Sequence, residues 1–299
     1  MTETNEKITE EYLKKIQDEH PMILLTFDKM LKAIFERNPI VYKRFISSVL
    51  HLDLLPDEMD LDDKNKEFVL SKYTEYSKTV DFNVDINKNI LINIELNQAY
   101  FKDVKFRNRI YHAKKISLLL NKGADKEDIK GLEDITNIQL NLNAKEKTNT
   151  LGEDIVVPYS IVTDTVYVNN DKTYIRYLDY YRNLYYNNIT SLQEDDYWLA
   201  LLTAKNYVEL NDILSKFVDD DLRESIVKDV VILSSSDEIW DEYERRNADL
   251  LVQYTIEKRL ENEEEYIQQE KENIQQEKEN IQQEKENMQQ EKENMQQEK

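Results

Sequence analysis

Two carboxylates, Asp81 and Glu95, stand fourteen residues apart in the stretch TVDFNVDINKNILINIELNQ, residues 79–98. The stretch alternates in period two on both sides of Asn87-Lys88-Asn89. Phe82, Val84 and Ile86 oppose Asp81, Asn83 and Asp85; then Ile90, Ile92, Ile94 and Leu96 oppose Asn93, Glu95 and Asn97. That pattern predicts a β-hairpin with an Asn-rich turn that tolerates left-handed backbone. If Ile86 pairs with Ile90, then Val84 pairs with Ile92 and Asp81 with Glu95, whose Cβ atoms would stand roughly 5 Å apart. Like charges set opposite each other are destabilising, and a hard divalent cation removes the conflict. Mg²⁺ takes one or two carboxylates, keeps several waters and accepts phosphate oxygens. The competing reading is a solvated outer face, on which two acids of an acidic chain meet by chance.

Further residues join this pair in a known order. Val80-Asp81, then Ile94-Glu95-Leu96-Asn97-Gln98, with Lys105, Arg107-Asn108 and Tyr111 beyond, resemble the PD-(D/E)XK nuclease core, and within it the recombination-promoting nuclease/putative transposase branch. Asp28, Leu31-Lys32 and Phe35 resemble that branch's opening D-x-x-F-K-x-x-F helix. The likeness covers about residues 20 to 215 and rests on order and spacing. Asn97 stands where the superfamily's E-x-K motif carries lysine; the branch commonly carries glutamine there.

The resemblance implies an α/β fold: a restriction-endonuclease-like PD-(D/E)XK core with a helical C-terminal part and a long charged C-terminal helix. It implies a metal-dependent DNA endonuclease that hydrolyses phosphodiester bonds. Asp81 and Glu95 would hold Mg²⁺, or Mn²⁺ in its place, with the Leu96 carbonyl and a water-mediated contact from Asp28. Asn97 or Gln98 would orient the attacking water, and Lys102 or Lys105 could supply the missing positive charge. Asp28 has a simpler explanation as well, since an acid in a first helical turn offsets the dipole and pairs with Lys32 at i+4. Asp85 is a lesser candidate because its hairpin partner would be Leu91.

The elements around the hairpin follow from periodicity. Residues 6–18 read as an amphipathic lead-in helix. Thr26 can cap a second helix, in which Phe27, Met30, Leu31, Ile34 and Phe35 share a face. Pro39 suits the first position of a third, to about Leu52. An acidic connection, 53–66, leads to a strand near 67–73. Residues 99–121 read as a long helix carrying Lys102, Lys105, Arg107, Arg109, Lys114 and Lys115, the densest basic cluster of the chain. That cluster reads either as a solvated face or as a DNA-binding one. Residues 121–131 read as a loop and 135–143, 154–165 and 173–181 as strands. The tyrosines from Tyr174 to Tyr186 fit core and strand packing better than a base-stacking platform. Helices follow from Glu194, with Trp198 as a core anchor, and two domains result: 1–236, and a low-complexity tail, 237–299.

In that tail Ile267, Ile274, Ile281, Met288 and Met295 recur every seventh residue. Seven is the coiled-coil period, but a normal seam has two apolar positions per heptad and this one has a charged residue at the second. A low-complexity helical extension is the favoured reading, with a weak parallel coiled coil, and a homodimer through it, as the other.

Composition narrows the choice. The 299 residues carry a net charge of −21, awkward for a nucleic-acid binder; residues 261–299, with 13 Glu and 5 Lys, leave −13 for the body. A local basic face can still bind DNA, but tight non-specific binding is disfavoured. No cysteine excludes thiolate sites and suits a cytoplasmic protein; three scattered histidines make zinc a poor fit. Three glycines leave no phosphate-cradling loop. No apolar run is long enough to span a bilayer. The remaining function readings are a nuclease, a catalytically degenerate nuclease fold that binds DNA or protein, and a helical interaction protein that works through its tail.

Overall fold

The computed structural model describes residues 8–52, 56–59, 61–63, 82–86, 90–97, 109–110, 113, 134–142, 152–166, 171–187 and 192–297. The fold is mixed α/β, and most of its described residues are helical.

Three helices precede the sheet. Helix α1, Glu10–Glu19, begins where the Thr9 hydroxyl accepts the Tyr12 N–H at 3.2 Å. Helix α2, Asp28–Arg37, has Phe27 rather than Thr26 at its N-cap. The Thr26 hydroxyl is buried and has no hydrogen-bond partner among the described residues, so the expected cap is not made. The apolar face is as the periodicity requires: Phe27, Met30, Leu31, Ile34 and Phe35 are all buried. Helix α3, Pro39–Val49, starts on its proline, whose missing N–H costs nothing at a helix start.

Among the described residues the main sheet has six strands, in the order Leu61–Asp63, Phe82–Ile86, Ile90–Asn97, Asp134–Asn141, Asp171–Tyr177, Glu153–Val156. Strand β1, Leu61–Asp63, lies inside the stretch expected to be an acidic connection; the expected strand at 67–73 falls outside the described residues. Strands β2, Phe82–Ile86, and β3, Ile90–Asn97, form the hairpin, with Ile86 opposite Ile90, Val84 opposite Ile92 and Phe82 opposite Ile94. This is the register read from the sequence. Strand β3 then pairs in parallel with β4, Asp134–Asn141, and β4 in parallel with β8, Asp171–Tyr177.

Between β4 and β8 the expected single strand at 154–165 is broken. Strand β5, Glu153–Val156, pairs antiparallel with β8, while β6, Tyr159–Ser160, and β7, Thr165–Val166, make a separate two-stranded ribbon. Pro158 has no N–H for a ladder, and Asp164 turns the chain at a φ of 56°. The expected strand 173–181 also stops early. At Leu178 the chain becomes helix α4, Leu178–Tyr186, so Tyr180, Tyr181, Tyr185 and Tyr186 are helical.

Helices α5, Glu194–Leu201, α6, Tyr207–Leu214, and α7, Asp220–Ser234, complete the body. Ile92, Ile94, Ile138 and Leu140, all fully buried, join the apolar faces of these helices and of α1–α3 in one core. Trp198 anchors it edge-on to Phe45 and Phe217. Polar ties fix the helix layer: Asn38 donates to Asp229 at 2.7 Å beside an Arg37–Asp229 ion pair, and Arg44 joins Glu194 to the Phe217 carbonyl.

Helix α8, Asp237–Gln297, runs for 61 residues. Its first turns belong to the body, where Ile239, Trp240 and Tyr243 pack against the core and Glu242 pairs with Lys29. The chain divides into two units, Met1–Glu244 and Arg245–Lys299. No helix among the described residues is long and apolar enough to cross a membrane.

Candidate functional site

Parallel strands β3 and β4 lie in the middle of the sheet, and strands so placed are normally apolar on both faces. Here, toward the carboxyl ends, only one face is. Ile92, Ile94, Ile138 and Leu140 form it. On the other, Glu95 is the Cα partner of Gln139, and Asn97 of Asn141. These four polar side chains stand at the carboxyl ends of two adjacent strands, and they are buried at 3%, 5%, 3% and 0% exposure in that order. Ile175 and Tyr177 continue the two rows onto β8, also buried. The polar face read from the hairpin's alternation is therefore not a solvated outer surface.

Burial makes each polar atom expensive. An unpaired buried amide costs about 1–3 kcal/mol, and an ionised carboxylate more. One contact within the cluster is direct: Asn97 Nδ2 donates to Asn141 Oδ1 at 2.7 Å. The Leu142 N–H bonds the Asn97 carbonyl at 2.8 Å, extending the parallel ladder past the strand ends. Two atoms have no hydrogen-bond partner among the described residues, Gln139 Oε1 and Asn141 Nδ2. The cluster thus holds a buried carboxylate, and presents an amide oxygen for a cation or a donor and an amide N–H for an acceptor. In open α/β sheets ligands bind outside the carboxyl ends of parallel strands, which is where this cluster lies.

The other expected site residues are distributed as follows. Asp81 and Gln98 lie outside the described residues, as do Lys102, Lys105, Arg107 and Lys114. Arg109 is helical and exposed. Asp28 is the buried first residue of α2, and its carboxylate lies 3.9 Å from Lys32 at i+4, the pairing that the sequence offered as its simpler explanation. Asp85 is the Cα partner of Leu91 across the hairpin as expected, and on its other side β1 gives it Asp62 as Cα partner. That register position is at the opposite end of β3 from Glu95. Among the described residues no group of three or more His, Cys, Asp or Glu could hold a metal.

Gln139 and Asn141 went unnoticed in the sequence, although the signal was present. Asn137, Gln139 and Asn141 put an amide at every second position of β4, on the face opposite Ile138 and Leu140.

A second buried polar network lies on the apolar side of the sheet. Arg176 of β8, 1% exposed, pairs with Glu153 of β5. It also donates to the Val49 carbonyl at 3.0 Å, and lies 3.3 Å from His51 Nε2 and 3.4 Å from the Tyr181 hydroxyl. His51 Nε2 is 3.6 Å from Asp195. Burial raises the Tyr181 phenol above its ordinary pKa although Arg176 pulls the other way, and burial likewise raises Asp196, against the Gln193 N–H that it accepts. This network ties the end of α3 to β8, α4 and the start of α5. Its groups largely satisfy one another, as a structural brace requires.

No family model matches the chain, and neither a curated protein nor a solved structure matches it.

Proposed function

We propose that the chain is a metal-dependent DNA endonuclease of the PD-(D/E)XK, recombination-promoting type, acting on phosphodiester bonds from the carboxyl ends of β3 and β4. The observation that carries this reading is the burial of Glu95 and Asn97 beside Gln139 and Asn141, with Gln139 Oε1 and Asn141 Nδ2 lacking partners among the described residues. The hairpin register adds support, because it is the one that opposes Asp81 to Glu95 when the pairing is extended from Phe82–Ile94.

The donor set suits a hard cation. Glu95 offers carboxylate oxygens and Gln139 an amide oxygen, and Mg²⁺ and Mn²⁺ prefer oxygen ligands. With Asp81 they would hold the ion, which when bound polarises a phosphoryl oxygen and acidifies a water. The chain's own residues do the rest. As a carboxylate Glu95 would only accept hydrogen bonds; Asn97, held by Asn141, can orient a water but cannot take its proton or supply positive charge. The Asn141 Nδ2 group, which has no partner among the described residues, can donate to an acceptor oxygen.

One observation favours a second reading. The residue at the motif's lysine position is an amide already bonded to another amide, as a catalytically degenerate fold that binds DNA or protein without cutting would have it. Plasmid nicking with Mg²⁺ or Mn²⁺ separates the two. Cleavage is expected with the wild type and is lost, at least about a hundredfold, with Glu95→Gln or Asp81→Asn. Asp81→Asn should at the same time stabilise the metal-free protein, because it removes the repulsion together with the ligand. Millimolar Mg²⁺ should raise the melting temperature of the wild type only. A protein that neither nicks DNA nor responds to either metal, and that Asp81→Asn leaves unchanged, belongs to the second reading.

A further inference from the structure

The tail carries a pattern that a single helix does not use. Ile267, Ile274, Ile281 and Met288 lie on α8 at 49%, 48%, 51% and 55% exposure. Their spacing is seven throughout. A straight α-helix drifts by about 20° per heptad against such a repeat, so the side chains stay on one line only if the helix winds left-handedly about another.

The charges between them are arranged in the same period. Gln268, Gln275 and Gln282 donate to Glu272, Glu279 and Glu286 at 2.9, 2.8 and 3.1 Å, each bond along the same helix. Lys271, Lys278 and Lys285 have Ile, Met or Gln at three and four residues on either side, and none makes an ion pair with another described residue. Glu270, Glu277 and Glu284 each directly precede one of these lysines.

We infer that residues 260–288 of α8 form a parallel, two-stranded coiled coil with a second copy of the chain, in which the isoleucines occupy d and the lysines a. The heptad then reads Lys at a, Glu at b, Asn at c, Ile at d, Gln at e and f, and Glu at g; Leu260 extends the d row upstream. A knob at a packs into a hole whose rim includes the preceding g residue of the other helix. Lys271 therefore meets Glu270 of the second copy, and the same holds for Lys278 with Glu277 and Lys285 with Glu284. The lysine stems cover the isoleucine row while their ammonium groups reach the rim. Each lysine, with no acid three or four residues away on its own helix, gains one across the seam.

Orientation follows from the same charges. Antiparallel helices set g against g, which here is Glu against Glu. Parallel helices set g against e, which is Glu against Gln. The alternative frame, with isoleucine at a, would bury Glu at every d position against itself; lysine at a also meets its own copy, but its longer stem carries the charge out to the g glutamate. Two strands rather than three suit lysine at a, because a dimer leaves that position nearest to solvent.

The test uses the full chain in sedimentation equilibrium at tens of micromolar. The expected mass is twice the 35.8 kDa of one chain. The triple variant Ile267→Asp, Ile274→Asp, Ile281→Asp should sediment as a monomer while the melting of the body is unchanged. Lys271→Glu, Lys278→Glu, Lys285→Glu should also dissociate it, although every isoleucine remains. Because the chain has no cysteine, Ile274→Cys reports orientation, and oxidation should link two chains through that one position. A monomeric wild type overturns the proposal. So does a dimer that survives the aspartate substitutions, or one that the lysine reversals leave intact. A dimer that Ile274→Cys fails to link overturns the parallel arrangement.

Discussion

Gln139 is the residue on which the two accounts of the buried face differ most. Its amide oxygen is desolvated and has no partner among the described residues. If it serves no ligand, it is a standing cost to the fold. Gln139→Met keeps the volume and removes the orphan, and should stabilise the metal-free protein by about 1 kcal/mol in urea unfolding. It should also reduce the melting shift produced by Mg²⁺ if that oxygen binds the ion. Glu209 of α6 is the reverse case, a polar group fully engaged. Burial would raise its carboxyl, but the Lys205 N–H at 2.9 Å and the Arg182 guanidinium outweigh that and hold it below its ordinary value. Its contribution is therefore present above the carboxylate range and fades as the pH falls through the lowered pKa. Glu209→Gln should cost about 1–2 kcal/mol at neutral pH, and the deficit should shrink on acidification. Of these residues the sequence exposed Glu95 and Asn97 through their alternation with Ile94 and Leu96. It could not expose their burial, because a period of two says which side chains share a face and not what covers that face. Gln139 was harder still: its pairing with Glu95 joins strands separated by a connection of 36 residues, and no local pattern encodes such a pairing.

Among the elements, the hairpin was the most legible: a slip of one residue would set the apolar row of one strand against the polar row of the other, and with only three residues between Ile86 and Ile90 a slip of two has little room. Strand β1 was hidden because Leu-Asp-Asp has neither length nor apolar alternation. The tyrosine-rich segment misled for a physical reason. Aromatic residues favour strands, and Thr173–Tyr177 is one, but beyond it the buried positions Leu178 and Tyr181 are three apart, a helical spacing. The junction depends on Gly152, whose carbonyl accepts the Tyr177 N–H at 2.9 Å. Gly152 has a φ of +76°, and a Cβ added there would stand 2.2 Å from Tyr180 Cδ1. Gly152→Ala should therefore lower stability by at least about 2 kcal/mol, from backbone strain and ring displacement together. Combining it with Tyr180→Ala should recover the steric share only, so the double variant should be less destabilised than the two single costs added.

At the scale of the whole molecule, the body and the tail are stabilised by different means. The body has a core that extends from Leu13 to Leu233 and takes in the first turns of α8 through Ile239, Trp240 and Tyr243. The residues after Glu261 offer one apolar side chain in seven, and those described are exposed. Truncation after Glu265 should leave the melting temperature of the body within about two degrees, a shift that corresponds to about 0.5–1 kcal/mol for a domain of this size. A larger loss in differential scanning calorimetry would mean that the tail packs on the body. The heptads have one more consequence, which concerns inheritance. Because each unit nearly copies the last, a seven-residue insertion or deletion restores the same seam and only moves the far end by about 10.5 Å. Where the codons repeat with the residues, the coding tract is a tandem repeat as well, the kind of sequence on which replication slips. Natural variants of this chain should therefore differ in tail length by multiples of seven residues, while any other step would shift the isoleucines off the seam and be lost.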